Sequence, residues 1–432
     1  SMMYGLPAIT VPADISKNLK SWSPSPAVHE VNEDALMWAV DGADDRSVAF
    51  AARLMEQDIQ VRIIDKESIL SDHNLSRGSV VVIAMDNPEY KTLYKVVKKT
   101  ANDLDISIVS IESGFGSEDL PDWGGRHFRL LNKPQIAILS HEGFNSYDVG
   151  VSWWSLDHHL GIRHSQLNSS LLSYGDLRRY NTIILPSGNP DLSNYTKEIL
   201  IDWVKQGGTL IANNRAARLI ASATNFGNVK LLSETFENSN SYNIDLMREI
   251  YSLKDDIDKS DVNSNKVNFN INYPWESAKK IYTKDELQMR DKWQSLLMPS
   301  GSMVAARSDQ KHWLTFGTNE LIPILYANNP ILMTGGNTEA PIRIGELIKN
   351  DKVEEVRTIN WSQLPKGFDL NVRMSGLVWP EASQRIANSA YLTREKIGKG
   401  QVILFSGEPN FRGSTIGTNR LWLNAVIYGS GL

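Results

Sequence analysis

The chain has 432 residues, enough for two or three domains with large cores. Its 41% hydrophobic and 22% charged residues, with a net charge of -5 and a pI near 6.0, describe an ordinary soluble globular protein without the basic field that nucleic acid or an anionic membrane would call for. The absence of cysteine excludes disulfides, thiolate zinc sites and a cysteine nucleophile together, and leaves the compartment open.

Ser1-Met2 reads as a cloning remnant. Residues 1 to 33, punctuated by Pro7, Pro12, Pro24 and Pro26, read as an extended lead-in without the basic start and apolar stretch of a signal peptide. No apolar run is long enough to predict a membrane span.

Residues 34 to 125 carry one set of alternating elements. A strand is expected over Asp34 to Val40, a helix over Arg46 to Gln57 with Val48, Ala51, Ala52 and Met55 on one face, and strands over Ile59 to Ile64 and Ser79 to Ala84. A helix over Tyr90 to Leu104 and a strand over Ile106 to Ile111 complete a small α/β domain, expected to hold a parallel sheet with right-handed crossovers.

A second domain spans 134 to 432. Gln135 to Leu139 and Thr182 to Pro186 read as strands and Val149 to Leu160 as a helix. In Ile199 to Ala223 a helix stops at Gly207-Gly208, a buried strand follows over Thr209 to Ala212, and helical composition returns at Ala216. This strand, elbow and helix is where many α/β enzymes present a nucleophile at the carboxyl edge of the sheet. Here the elbow holds Asn213, Asn214 and Arg215, none of which is one.

A polar insertion is expected from about 234 to 272, with a possible helix over Ile244 to Leu253 and the charge run Lys254 to Asp261. Gln401 to Ser406 is a last buried strand and Arg420 to Tyr428 a closing helix, with the loop Glu408 to Gly413 between them at the same sheet edge.

His141, Glu142, Ser187, Arg215, Glu408 and Arg412 thus converge as a possible ligand pocket at the carboxyl edge. No catalytic residue is assigned: Ser187 follows a strand without a helix start or a base. No metal site is assigned either. His158, His159 and His164 lack metal-ligand spacing, and Gly161 ends the helix between them. The Gly-containing strand ends do not have dinucleotide or Walker spacing.

The segment KGQVILFSGEPNFRGSTIGTNRLWLNAVIYG, with GLVWPEA, HWLTFG and PILYANNPIL before it, resembles the carboxyl-terminal region of large bacterial zinc carboxypeptidases of the M14 type. Pro134 to the end is similar to their class I glutamine amidotransferase-like domain, and Ala35 to Trp123 to the smaller α/β segment before it. The resemblance implies two flavodoxin-like or amidotransferase-like modules with mainly parallel sheets. It implies a secreted or periplasmic protein whose zinc, His-x-x-Glu and later His belong to an upstream peptidase domain, which is the implied partner. No His-x-x-Glu occurs in these residues. The chain is therefore expected to be a non-catalytic region that supports that domain or binds a peptide or cell-wall fragment, with no cofactor of its own.

Matching TLIANNRAA to the family's elbow puts Arg215, or else Asn214, at the nucleophile position, where neither can form a thioester. The alternative expectation is a free-standing pseudo-amidotransferase module that binds an anionic small molecule.

Overall fold

The computed structural model describes residues 1–6, 20, 21, 23, 27, 31–117, 119–223, 225–254 and 282–432. Most of the lead-in, and the charge run beyond Lys254, lie outside the described residues. Residues 1–6 dock on the second module, where Asn319 Nδ2 donates to the Gly5 carbonyl at 2.9 Å.

The first module runs β1 (Met37–Val40), α1 (Arg46–Glu56), β2 (Arg62–Ile64), β3 (Val80–Ile83), α2 (Leu93–Leu104), β4 (Val109–Ile111) and β5 (Phe128–Leu130). Its sheet has the order β4-β1-β3-β2-β5, and every neighbouring pair is antiparallel. This corrects the expectation of a parallel sheet. The reason is that β2 and β3 follow one another without a helix between them, so β3 runs back between β1 and β2. Each helical crossover then skips one strand, giving a split β-α-β arrangement of the ferredoxin-like kind. A hairpin of Ser68–Leu70 and His73–Leu75 covers the outer face, where Leu70 and Leu75 pack with Met37, Ala39, Val81 and Phe128.

The second module begins with β6 (Ile136–Ser140), α3 (Ser146–Trp154), β7 (His164–Asn168), β8 (Thr182–Leu185), α4 (Asn194–Lys205), β9 (Thr209–Asn213) and α5 (Asn214–Ala221). After α6 (Ser239–Lys254) and α7 (Lys284–Gln294) come β10 (Ser300–Ser308), β11 (Leu321–Ala327), β12 (Glu339–Ile344), α8 (Pro380–Ile386), β13 (Ala390–Ile397), β14 (Gly400–Phe405) and α9 (Ile416–Tyr428).

The main path of its sheet is β11-β10-β12-β13-β14-β9-β8-β6-β7. From β14 to β7 the pairs are parallel, and from β14 to β11 they are antiparallel. The parallel half is thus numbered 2-1-3-4-5 in chain order, an order that doubly wound sheets use. The antiparallel strands between Ser300 and Ile397 had no counterpart in the sequence reading. The sheet is therefore mixed, not mainly parallel.

Both faces of the parallel half are covered, as uniformly apolar strands require. In β6, Ile136 and Ile138 face one cluster while Ala137 and Leu139 face the other, and Ile184 and Ile211 alternate against Ile183 and Leu210 in the same way. The first of these clusters also holds Val48, Phe50, Ala51 and Leu54 of α1 and Leu421, Trp422 and Val426 of α9. One core therefore runs through both modules.

The expected polar insertion is anchored as far as α6. Glu249 Oε1 and Oε2 accept from Arg343 Nε and Nη2 at 2.6 and 2.7 Å, and Asn243 Oδ1 accepts from the Gln363 N–H at 2.8 Å. Arg343 is 3% exposed, so this pair fixes α6 against the sheet.

Candidate functional site

In open α/β sheets a ligand finds room where successive connections leave the carboxyl ends of adjacent strands on opposite faces. Here that switch lies between β6 and β8. A cleft of about 530 Å³ occupies it, lined by the turns after β6, β8 and β9.

The turn after β6 reverses through two left-handed residues, His141 (φ 71) and Gly143 (φ 85). It enters α3 through Asn145, whose side chain accepts from the Tyr147 N–H at 2.9 Å. The turn after β8 is stitched to it: Asn145 N–H donates to the Ser187 carbonyl at 2.9 Å and Asn189 N–H to that of Gly143 at 2.7 Å. Gly188 sits in this crossing, and a Cβ there would lie 2.4 Å from the Gly143 oxygen and 2.7 Å from Phe144 Cα. Only glycine lets the two loops form one wall.

The third turn is the elbow. β9 extends through Asn213, and the next residue, Asn214, takes φ 47 as α5 begins. The left-handed residue of the elbow is therefore Asn214, the second of the two positions named from sequence and one before Arg215, because α5 begins at Asn214 and not at Ala216. Asn213 is fully buried in the N-cap position of α5 but makes no capping bond. Its Nδ2 donates to Glu408 Oε1 at 3.4 Å while its buried Oδ1, the atom that would cap, has no partner, so the first N–H groups of α5 carry no side-chain cap.

Asp148, in the first turn of α3, lines the cleft beside Ser187 and Arg215. Burial raises its carboxyl above the usual range, against the Ser187 hydroxyl bonded to it and the charges of Arg215 and Arg412. Glu408 lies behind, on the loop after β14. Some of the residue is exposed, but its Oε2 is sealed from solvent without a hydrogen-bond partner. Burial, and next the charge of Asp148, hold its carboxyl well above the usual value, opposed by Asn213 and the Asn410 N–H. The site thus combines two half-buried carboxyls, Asp148 and Glu408, with two exposed guanidinium groups, Arg215 and Arg412. Arg412 lies 5.7 Å from the ring of Tyr147 and 5.2 Å from that of Phe411.

The structure brings Ser187, Asn214 and Arg215 together in the cleft, with Glu408 and Arg412 beside it. His141 and Glu142 are exposed and do not line it. Asp148 and Asn145 were missed. Their signal was an Asn-x-x-Asp helix start directly after a strand, which the sequence carries at 145 to 148. His158 and His159 pack on Trp154, with ring centroids 5.1 and 4.1 Å from it, and Asn419 Nδ2 lies 3.3 Å from His159 Nδ1. Among the described residues no group of three or more His, Cys, Asp or Glu is arranged to hold a metal ion, and no helix is long and apolar enough to cross a membrane.

No protein-family model matches the sequence, and no curated protein does. Solved structures give distant likenesses. A ThuA-like protein from Bacteroides uniformis superposes with a TM-score of 0.32 at 11% identity, over 67% of this chain and 88% of its own. A cytoplasmic protein from Salmonella typhimurium does so with a TM-score of 0.30 at 10% identity, over 68% and 97%. A β-galactosidase from Bacillus circulans reaches 0.34 at 9% identity over 83% of this chain, which spans only 38% of that enzyme. No conclusion about this chain follows from superpositions at that level.

Chemically, the cleft can bind and orient. The elbow offers an amide and a guanidinium where covalent catalysis needs a nucleophile. Ser187 lines the cleft with the Asp148 carboxyl, and no histidine is among the residues that line it to serve as base.

Proposed function

We propose that the chain is the non-catalytic carboxyl-terminal region of a secreted or periplasmic zinc carboxypeptidase of the M14 type. Its cleft at the switch between β6 and β8 holds a ligand, such as part of a peptide or cell-wall substrate, for an upstream peptidase domain. The observation that carries the non-catalytic reading is the elbow, where Asn214 takes the left-handed turn and Arg215 follows it. The resemblance of the last strand, loop and helix supports the parent family. Zinc and its His-x-x-Glu ligands belong, on this reading, to the peptidase domain.

The test is to incubate the purified chain with zinc and a peptide carrying a free carboxyl terminus. No chelator-sensitive release of the terminal residue is expected, whereas release would overturn the reading. Co-purification with an M14 peptidase domain from the same source tests the partnership.

A second reading is a free-standing pseudo-amidotransferase module for an anionic small molecule. The uncapped start of α5 beside Arg215 favours it, because N–H groups and a guanidinium together attract an anion. It requires a carboxylate that stabilises the chain against heat and no longer does so in Arg215→Ala.

A further inference from the structure

A second cavity, apart from the cleft, lies in the joint between the two modules. It encloses about 210 Å³ between α1, the carboxyl end of α2, the turn after α3 and α9. Ala49, Leu104, Leu160, Ile416 and Leu423 give it largely apolar walls, and the exposed Asp45 and Arg46 lie where it opens to solvent. Apolar hollows between domains that carry a few fixed polar groups are where small molecules bind. An apolar cavity of about 150 Å³ takes benzene, so this one has room for a fused pair of rings.

The charged groups in its walls are already engaged. Arg46 Nη2 lies 2.7 Å from Asp44 Oδ2 and its Nη1 3.7 Å from Asp105 Oδ2. Arg420 directs its guanidinium to the Gly42 and Asp44 carbonyls and Asn424, with Nη1 3.3 Å from Asp45 Oδ1. An anion entering here finds no free guanidinium, and a cation competes with Arg420 for Asp45. The lining therefore selects an uncharged ligand.

The polar group left to orient that ligand is His159. The turn after α3 is a π-helical segment, Ser155–Leu160, and it sets His159 against Trp154, five residues before it, with ring centroids 4.1 Å apart. The bonds behind the imidazole fix its tautomer. Asn410 Nδ2 donates to Ser155 Oγ at 2.8 Å, and the Ser155 hydroxyl gives its proton to Asn419 Oδ1 at 3.5 Å. Asn419 thus presents Nδ2 to His159 Nδ1 at 3.3 Å, and an amide nitrogen only donates. Nδ1 is the acceptor, so Nε2 carries the proton. Burial, and next the charge of His158, hold the imidazole below its usual value and keep this neutral form. Among the described residues Nε2 has no partner.

We propose that this cavity binds an uncharged, planar aromatic molecule of about ten heavy atoms, with its rings against Ala49, Leu160 and Leu423 and a hydrogen-bond acceptor on its edge toward His159 Nε2. Both modules supply the walls, so occupancy stabilises the joint between them by mass action. None of these residues lines the cleft between β6 and β8, and binding here does not depend on that site.

The experiment titrates the full chain with isoquinoline, with naphthalene, which has the same shape without the ring nitrogen, and with benzoate, which is smaller and charged. Binding is read by calorimetry and by thermal shift. Isoquinoline should bind with a Kd of about 1 mM or tighter, and benzoate not at all. Naphthalene should bind roughly fivefold more weakly than isoquinoline, the worth of one hydrogen bond. Leu104→Trp and Ile416→Trp, each filling the cavity from a half-buried position, should remove isoquinoline binding and leave the unliganded far-ultraviolet spectrum unchanged. His159→Phe should weaken isoquinoline roughly fivefold and leave naphthalene as it was, a split that mere loosening of the fold would not produce. Should a tryptophan variant not fold, that split decides. If isoquinoline does not bind, or still binds in both tryptophan variants, the site is overturned. Equal binding of isoquinoline and naphthalene overturns the assigned ligand class, and so does binding of benzoate.

Discussion

Arg420 Nη2 on α9 donates to the carbonyl of Gly42 at 2.9 Å, joining two residues from opposite ends of the chain. Nη1 donates to the Asp44 carbonyl at 2.9 Å and Nε to Asn424 Oδ1 at 3.0 Å, and Arg420 is only 2% exposed. Asn424 Nδ2 continues the contact to the Leu314 and Phe316 carbonyls at 3.0 and 2.8 Å. The β1–α1 turn of the first module is thereby bound to the last helix of the second.

Removing that guanidinium takes the donor from the buried Gly42 carbonyl and Asn424 amide oxygen and from the half-buried Asp44 carbonyl. Arg420→Met should destabilise the chain by about 3 kcal/mol or more in urea unfolding, since each unsatisfied buried group costs about 1–3 kcal/mol. Arg420→Lys should recover less than half, because one ammonium cannot reach the Gly42 and Asp44 carbonyls and Asn424 together. A loss below about 1 kcal/mol for the methionine variant would show that the contact does not hold the modules together.

Glu408 makes stability depend on pH in a defined direction. Its folded-state value lies above its unfolded one, so the native chain keeps the proton longer. That contribution is full at low pH and is lost as pH rises toward and through the raised value. Glu408→Gln retains an oxygen for Asn213 and removes the titration. It should therefore be more stable than the parent near pH 8, by about 1.4 kcal/mol for each unit of the native shift, with a smaller difference near pH 5. Urea unfolding from pH 5 to 8.5 checks it, and parallel profiles for the two proteins would refute it.

Much of the second module was legible because its strands are uniformly apolar and end in turn residues. Ile136 to Leu139, Thr182 to Leu185 and Thr209 to Ala212 are buried on both faces, which a continuous apolar run signals directly. The sheet direction in the first module was not read, although the spacing contained it: β2 and β3 are separated by too little helical pattern for a parallel crossover. The antiparallel half was missed for another reason. In β11, Leu321 to Ala327, Pro323 interrupts the apolar run, and a proline inside a run argues against a strand. In the site, the convergence of Ser187, Arg215, Glu408 and Arg412 followed from their strand ends. Asp148 did not, because it lies eight residues beyond the strand on a helix whose start was placed too late.

The salt pair of Arg394 with Glu339 gives an acid-side prediction. Burial by itself would raise the Glu339 carboxyl, but hydrogen bonds from His312 and Arg394 outweigh it and hold the value at about 2. Arg394 Nη1 donates to Glu339 Oε2 at 2.7 Å, and Arg394 is 6% exposed. A depressed carboxyl stabilises the fold above its unfolded value and loses that contribution as pH falls toward 2. Because the Glu339 side chain is 48% exposed, solvent screens the pair and the contribution stays near 1 kcal/mol. Glu339→Gln should accordingly lower stability by about that much at pH 7 and by less at pH 3, as measured by urea midpoints.

The elbow makes the most specific prediction, because the chain has no cysteine to confuse the readout. Asn214 is left-handed at φ 47, at the first position of α5 and next to Arg215. A thiol placed there meets the positive end of a helix and a neighbouring cation, both of which favour the thiolate. In Asn214→Cys the thiol should therefore titrate below the ordinary value of about 8.5 and react with iodoacetamide at neutral pH several-fold faster than a cysteine at exposed Tyr174. The same substitution loses a residue that tolerates the left-handed region, at a cost of about 1 kcal/mol in stability, and Asn214→Gly should avoid that cost. An ordinary thiol value in a folded Asn214→Cys would mean that the start of α5 does not face the cleft, and the assignment of a carboxylate to that side would fail with it.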